Sequence, residues 1–219
     1  NLYLEQDKKC KLSRLPITIN KSAKINNTAS LDRIDSNLGY NSTNVQWLHK
    51  DVNNLKGSMS NEETIKLCRK IFFTDLEDRR PDWPEYFINM AYLVSTRSRD
   101  LSTKCGCVIV DANYRVISTG YNGACQGVDD NLIPQTRPEK YSYVIHAEMN
   151  AILFAKIDLT NCYAFITGFP CENCCKTLLQ AGICKIYYGN RLAKMCEGTN
   201  EIIKKLCDLK NVPLIQIEI

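Results

Sequence analysis

From about residue 84 onward, apolar positions recur with periods that switch between helix and strand. Phe87, Met90, Ala91 and Val94 fall at helical spacing. Cys105–Val110 (CGCVIV) and Arg115–Gly120 read as strands, joined across Asp111-Ala112-Asn113 as a hairpin. A long loop from Tyr121 to Val144 follows. The pattern then predicts a helix from His146 to about Lys156, a strand Cys162–Thr167 and a helix from Cys171 to about Gln180, with Gly182 as its C-terminal cap. A strand Ile183–Tyr188, a helix Thr199–Cys207 and a strand Leu214–Ile219 complete the series. Strands alternating with helices imply an α/β domain whose largely parallel sheet is covered on both faces.

The stretch Asp75–Pro84 (DLEDRRPDWP) is charged, carries two prolines and lacks periodic apolar residues, so it reads as linker or turn. It divides the chain into residues 1–79 and 80–219. No internal repeat is present, and the only biased tract is an Asn/Ser-rich stretch around residues 20–44. Residues 1–80 hold 14 Lys/Arg against 10 Asp/Glu, whereas residues 81–219 hold 14 of each, so the whole excess of +4 lies in the first part. A nucleic-acid surface would have to be sought there, although a solvated basic face explains the charge equally well. No apolar run approaches the length of a membrane span and no secretory segment opens the chain. The first residue is Asn1 rather than Met, so the natural N-terminus is expected to lie upstream. With no export signal, ten of the twelve cysteines read mostly as small buried hydrophobes in a reducing cytoplasm, the host's if the source is viral.

Two of the predicted helices carry chemistry at their starts. One opens with His146-Ala-Glu148, the other with Pro170-Cys171-Glu-Asn-Cys174. One imidazole and two thiolates fill three positions of a tetrahedral zinc site and leave the fourth to water. Helix N-termini favour anions, which assists the thiolates at Cys171 and Cys174, and their i, i+3 spacing puts both sulfurs on one face. Glu148 is placed as a proton carrier beside the water. A closed structural zinc would need a fourth protein ligand, yet the only histidines are His49 and His146, and Cys175 points about 100° away from Cys174 on a helix.

The motifs RSRDLSTKCGCVIV, STGYNGACQG, YSYVIHAEMNAI and TGFPCENCCKTLLQAGI make residues 84–219 resemble the deoxycytidylate (dCMP) deaminases of the cytidine deaminase superfamily. That resemblance implies a three-layer αβα sandwich around a five-stranded mixed sheet. It implies zinc on His146, Cys171 and Cys174, with Glu148 as general acid/base. The reaction would be hydrolytic deamination of dCMP to dUMP and ammonia by a zinc-activated hydroxide, supplying thymidylate synthesis. Asn122 would contact the deoxyribose, with Arg97, Ser102 and Lys104 as candidates for the 5′-phosphate. Family members are commonly hexamers regulated by dCTP and dTTP. The resemblance therefore also implies an effector nucleotide, with Mg2+, along Tyr121, Asn122 and Gly123. The chain departs from the pattern at Cys125, where many members have proline, and at Leu192-Ala193, where they have an aromatic residue.

In the first part of the chain, Ala29-Ser-Leu-Asp32-Arg33-Ile-Asp35, Gly39-Tyr40, Asn44-Val-Gln-Trp47 and Asn53-x-x-Lys56 together resemble an HNH-type endonuclease module of a kind common in phage genomes, a small ββα-metal unit. Asp32 and Asn53 match metal-ligand positions and Asn44 the central asparagine, while Arg33 stands where the general-base histidine belongs. A guanidinium cannot act as that base. Two further readings stay open. One is a polynucleotide cytosine deaminase that presents a strand through the basic segment. The other is a DNA-binding or nicking protein with a regulatory deaminase half.

Overall fold

A computed structural model describes residues 1–19, 28–191 and 199–218. Leu192-Ala193 and the end of the last predicted strand, Ile219, lie outside the described residues. The chain forms two compact units, Asn1–Arg80 and Pro81–Ile219.

The first unit starts with a short helix, α1 (Leu2–Glu5), followed by β1 (Ala29–Arg33), β2 (Val45–His49), α2 (Lys50–Lys56) and α3 (Asn61–Asp78). β1 and β2 pair antiparallel, from Ala29 opposite His49 to Arg33 opposite Val45. Cys10, Ile17 and Leu48 form its small core, flanked by Tyr3, Trp47 and Val52. α3 corrects the reading of Asp75–Pro84 as wholly linker, because the helix continues to Asp78. Its start is fixed by a capping box between Ser60 and Glu63. The charges near its end support it as an i, i+4 pair, with Arg79 Nε 2.9 Å from Asp75. Charge density there marks a solvated helix end as readily as a loop.

In the second unit α4 (Trp83–Ser95) leads into β3 (Gly106–Val110) and β4 (Val116–Tyr121). Then come α5 (Ala147–Ala155), β5 (Tyr163–Gly168), α6 (Glu172–Gln180), β6 (Lys185–Arg191), α7 (Thr199–Leu209) and β7 (Leu214–Gln216). The five strands lie in the order β4-β3-β5-β6-β7. β3 runs antiparallel to both β4 and β5, and only β5, β6 and β7 are mutually parallel. The expected largely parallel sheet is thus a mixed one. β3 and β4 are a hairpin, so the parallel βαβ crossovers begin only at β5.

Alternation along the strands divides the core into two layers. Val108, Val110, Phe165 and Tyr187 pack against Phe87, Ile88 and Ala91 of α4. Cys107, Ile109, Ala164, Ile166 and Ile186 face the other way, among residues of α5, α6 and α7. Covered on both sides, all five residues of β3 are buried. Two glycines set how closely the helices approach. A Cβ on Gly106 would sit 2.1 Å from the Ala91 carbonyl oxygen of α4, and one on Gly120 would sit 2.2 Å from the Ala147 oxygen of α5. The start of α5 is therefore pressed against β4, and that start carries the candidate site.

Candidate active site

His146 is the N-cap residue of α5 and Cys171 that of α6, both with extended backbone. Extended N-caps project their side chains past the helix ends, where free N–H groups and the positive dipole end gather. His146 Nδ1 lies 3.4 Å from Cys171 Sγ and 3.4 Å from Cys174 Sγ. One ligand atom from each of the three falls within 4.8 Å of the others. A nitrogen and a sulfur bound tetrahedrally to one zinc ion stand about 3.5 Å apart, given bond lengths of about 2.0 and 2.3 Å. The three donors therefore fit zinc. Among the described residues they are the only such group of histidine, cysteine or acidic side chains.

The electrostatics suit a cation. Cys171 is pulled down to about 4, first by a hydrogen bond from the Cys174 thiol and further by His146 and the Cys174 backbone N–H. Cys174 is pushed up as the partner that keeps the proton, with burial adding to the shift. The hydrogen bond with Cys171 raises His146, so the thiolate holds a nearby proton that a metal ion on the three donors would displace. Glu148, one helical position on from Ala147, is buried, and burial raises its carboxyl above the ordinary range. A buried carboxyl that holds a proton more readily than usual is suited to shuttling it. It shares its pocket with His146 and Cys171.

Three segments beyond the metal donors wall this pocket, and Asp100 ties them together. Its carboxylate accepts hydrogen bonds from Lys140 Nζ at 2.7 and 2.8 Å, from the Ser102 and Thr103 backbone N–H groups, and from Asn122 Nδ2. Lys140 also donates to Ser102 Oγ. Burial alone would raise the Asp100 carboxyl, but these bonds outweigh it and hold the group below its usual value. Asn122 completes the brace: its Nδ2 donates to the Thr103 oxygen and its Oδ1 accepts from the Cys105 N–H. The Gly123 backbone pairs with Ile145, and Asn150 Nδ2 donates to the Tyr121 oxygen, so the turn is fastened to the start of α5.

The residues singled out from the sequence are distributed accordingly. His146, Glu148, Cys171 and Asn122 line the pocket, and Cys174 is buried beside them. The side-chain polar atoms of Asn122 are engaged within the protein. Ser102 joins the Asp100–Lys140 cluster, while Arg97 and Lys104 are exposed and are not among the lining residues. Tyr121 is exposed and Gly123 lies at the turn. Asp100, Thr103, Arg137 and Lys140 were not anticipated. Asp100 and Thr103 lie in the loop whose other polar residues were considered, and Lys140 stands just before the YSYVIHAE block, but nothing local in the sequence shows that they meet.

In the first unit Asp32 is buried and its Oδ1 receives the ammonium of Lys56 at 3.2 Å, the lysine side chain being 0% exposed. Gln46 donates to Asp32 Oδ2 at 2.8 Å. Asn53 donates to Ser30 Oγ, and Asn44 braces the turn through Asp35 and Gly39. Arg33 donates to the Leu38 oxygen and lies over the Tyr40 ring. Among the described residues, no helix is long and apolar enough to cross a membrane.

Comparison with known proteins agrees with the geometry. Residues 81–190 match the family model described as the cytidine and deoxycytidylate deaminase zinc-binding region. An uncharacterized deaminase encoded in the luxG 3′ region of Aliivibrio fischeri is 47% identical over 105 residues, covering 48% of this chain and 71% of that protein. The deoxycytidylate deaminase of Mus musculus is 39% identical over 114 residues, 49% of this chain; the match spans 64% of its own length, under two thirds. The crystal structure of dCMP deaminase from the cyanophage S-TIM5 in complex with dCMP and dUMP superposes with a TM-score of 0.50 at 26% identity, over 64% of this chain and 99% of that one. Matched by the family model over half its length and carrying the zinc-binding donors at two apposed helix starts, the chain belongs to the cytidine and deoxycytidylate deaminase zinc-binding family.

Proposed function

We propose that the chain catalyses hydrolytic deamination of dCMP to dUMP and ammonia. The observation that carries this reading is the convergence of His146, Cys171 and Cys174 with the buried carboxyl of Glu148 on one pocket. The mouse and cyanophage relatives, both named as acting on dCMP, supply the substrate. Bound on these three donors, zinc supplies the Lewis acidity that makes water nucleophilic near neutral pH. Glu148 accepts a proton from that water and delivers it to N3 of the cytosine ring. After a C–O bond forms at C4, Glu148 takes the second proton from the new C4 hydroxyl and passes it to the amino group, so that the C4–N bond breaks, ammonia leaves and the hydroxyl oxygen becomes the C4 carbonyl of dUMP. Its burial keeps bulk water from competing for the proton. Asn122, fixed by Asp100, Thr103 and Cys105, holds the pocket wall on which the deoxyribose is read.

Ammonia release from dCMP by the zinc-loaded protein tests the reading. Glu148→Gln should retain zinc, measured by metal analysis, while turnover falls by about a hundredfold or more. Cys171→Ala should lose both. Near-normal turnover in the glutamine variant would sink the mechanism.

The resemblance to hexameric dCMP deaminases extends the proposal to a homo-oligomer in the cytoplasm, regulated by dCTP and dTTP along Tyr121, Asn122 and Gly123. Sedimentation with and without those nucleotides decides it. The first unit is read as an HNH-like module that does not cut. Its antiparallel β1–β2 pair followed by α2 supports the module, and the ammonium of Lys56 on Asp32 supports the loss of metal chemistry. DNA binding without Mg2+-dependent cleavage is the expected outcome. The charge balance of residues 81–219 disfavours a strand-binding pocket, because a polynucleotide's phosphates need neutralising.

A further inference from the structure

Four charged side chains besides the metal donors line the active-site pocket: Asp100, Arg137, Lys140 and Glu148. Two cancel each other. Lys140 and Asp100 form a buried pair at 2.7 Å, their side chains 4% and 7% exposed. Glu148 is the proton carrier. Arg137 alone brings a cation to the wall with no carboxylate within ion-pair distance among the described residues. Its Nη2 donates to Thr103 Oγ1 at 2.9 Å, and its Cζ stands 5.8 Å from the centre of the Tyr141 ring. One hydrogen bond and one ring contact aim a guanidinium and leave most of its five donors without a partner among the described residues.

A planar fork of free N–H groups suits a phosphate monoester, which it can grip through two parallel charge-assisted bonds. A nucleoside lacks that group and gains nothing from the fork. We infer that Arg137, steered by Thr103 and Tyr141, reads the 5′-phosphate and so makes this pocket select a nucleoside monophosphate over the free nucleoside. The Asp100–Lys140 pair contributes by withdrawing the other cation, which leaves one phosphate anchor rather than two. The phosphate reader then sits on the segment just ahead of α5, which also carries His146 and Glu148, and not on Arg97 or Lys104. Recognition of the phosphate and presentation of the proton carrier are thereby built on adjoining stretches of chain. The inference rests on the dCMP reading.

The test compares the zinc-loaded full chain with its Arg137→Lys and Arg137→Ala variants. Turnover of dCMP and deoxycytidine gives the ratio of their kcat/KM values, and calorimetry gives the affinities of dUMP and deoxyuridine. Arg137→Ala should lower the nucleotide-to-nucleoside ratio about 10- to 100-fold in both measurements, mainly through KM, as expected for losing hydrogen bonds to a charged group. Arg137→Lys should restore part of it, since an ammonium keeps the charge without the fork. A ratio that survives Arg137→Ala but collapses in Lys104→Ala or Arg97→Ala places the reader on the preceding loop and overturns the inference alone. A wild type that prefers neither dUMP to deoxyuridine nor dCMP to deoxycytidine overturns the inference and the dCMP reading together.

Discussion

Lys56 and Lys140 are buried lysines that each meet one aspartate, and the two pairs behave differently when a partner is removed. Among the described residues, Asp32 keeps only Gln46 as a side-chain donor once Lys56 is gone. Lys56→Ala should therefore destabilise the protein by about 3–5 kcal/mol, because an uncompensated carboxylate stays buried. Replacing both partners, as Asp32→Asn with Lys56→Met, should recover most of the loss. Urea unfolding of the three variants decides it, and equal losses in the single and double variants would refute the account. Asp100→Asn should also cost about 3–5 kcal/mol at neutral pH, here by stranding the Lys140 ammonium. This second penalty has a pH signature. The Asp100 carboxyl lies below its ordinary value in the folded state. Its contribution is therefore fully present above the unfolded carboxyl's pKa, about 4, and is lost as pH falls through the lower folded value. The stability gap between wild type and Asp100→Asn should narrow below about pH 4. A gap of constant size would show that the pair contributes nothing electrostatic.

At the scale of elements, the two glycines that let helices touch strands are the sharpest points of failure. Gly120→Ala puts a methyl 2.2 Å from the Ala147 oxygen and 2.4 Å from the Ala151 nitrogen, both backbone atoms that cannot step aside. α5 must shift, and with it His146 and Glu148. A loss of zinc affinity together with a lowered melting temperature is expected, whereas a variant that binds zinc normally would mean that α5 absorbs the methyl without moving its N-terminus. This dependence also explains what the chain made legible. The helices and strands of residues 84–219 could be read because apolar periodicity is local, and the metal donors because His-x-Glu and Cys-x-x-Cys each occupy one helix start. The antiparallel pairing of β3 with β5 could not be read, since it depends on which edge a distant strand joins. Asp100 was missed for the same reason: its partners Lys140 and Asn122 lie 40 and 22 residues away. α3 was missed because Ile65, Leu67, Ile71, Phe72 and Phe73 are too exposed and too scattered to mark one buried stripe.

Across the whole molecule, the two compact units differ in what a cation does for them. In the second, three donors at two helix starts would hold one metal ion, which ties α5 and α6 together when bound. In the first, the ammonium of Lys56 already serves the carboxylate at which an HNH-like module would place its metal. Chelation should therefore loosen one unit and spare the other. At a free zinc concentration about a thousand times its dissociation constant, metal binding contributes about 4 kcal/mol to the unit that holds it. Hydrogen exchange on the full chain, with and without a chelator, reads both units at once. Amides of α5 and α6 should exchange faster after chelation, by up to about a thousandfold where opening releases the metal. Amides of β1, β2 and α2 should not change. Faster exchange in β1 or α2 would show that a metal supports the first unit after all, and would restore the metal-dependent nuclease reading that the Asp32–Lys56 pair argues against.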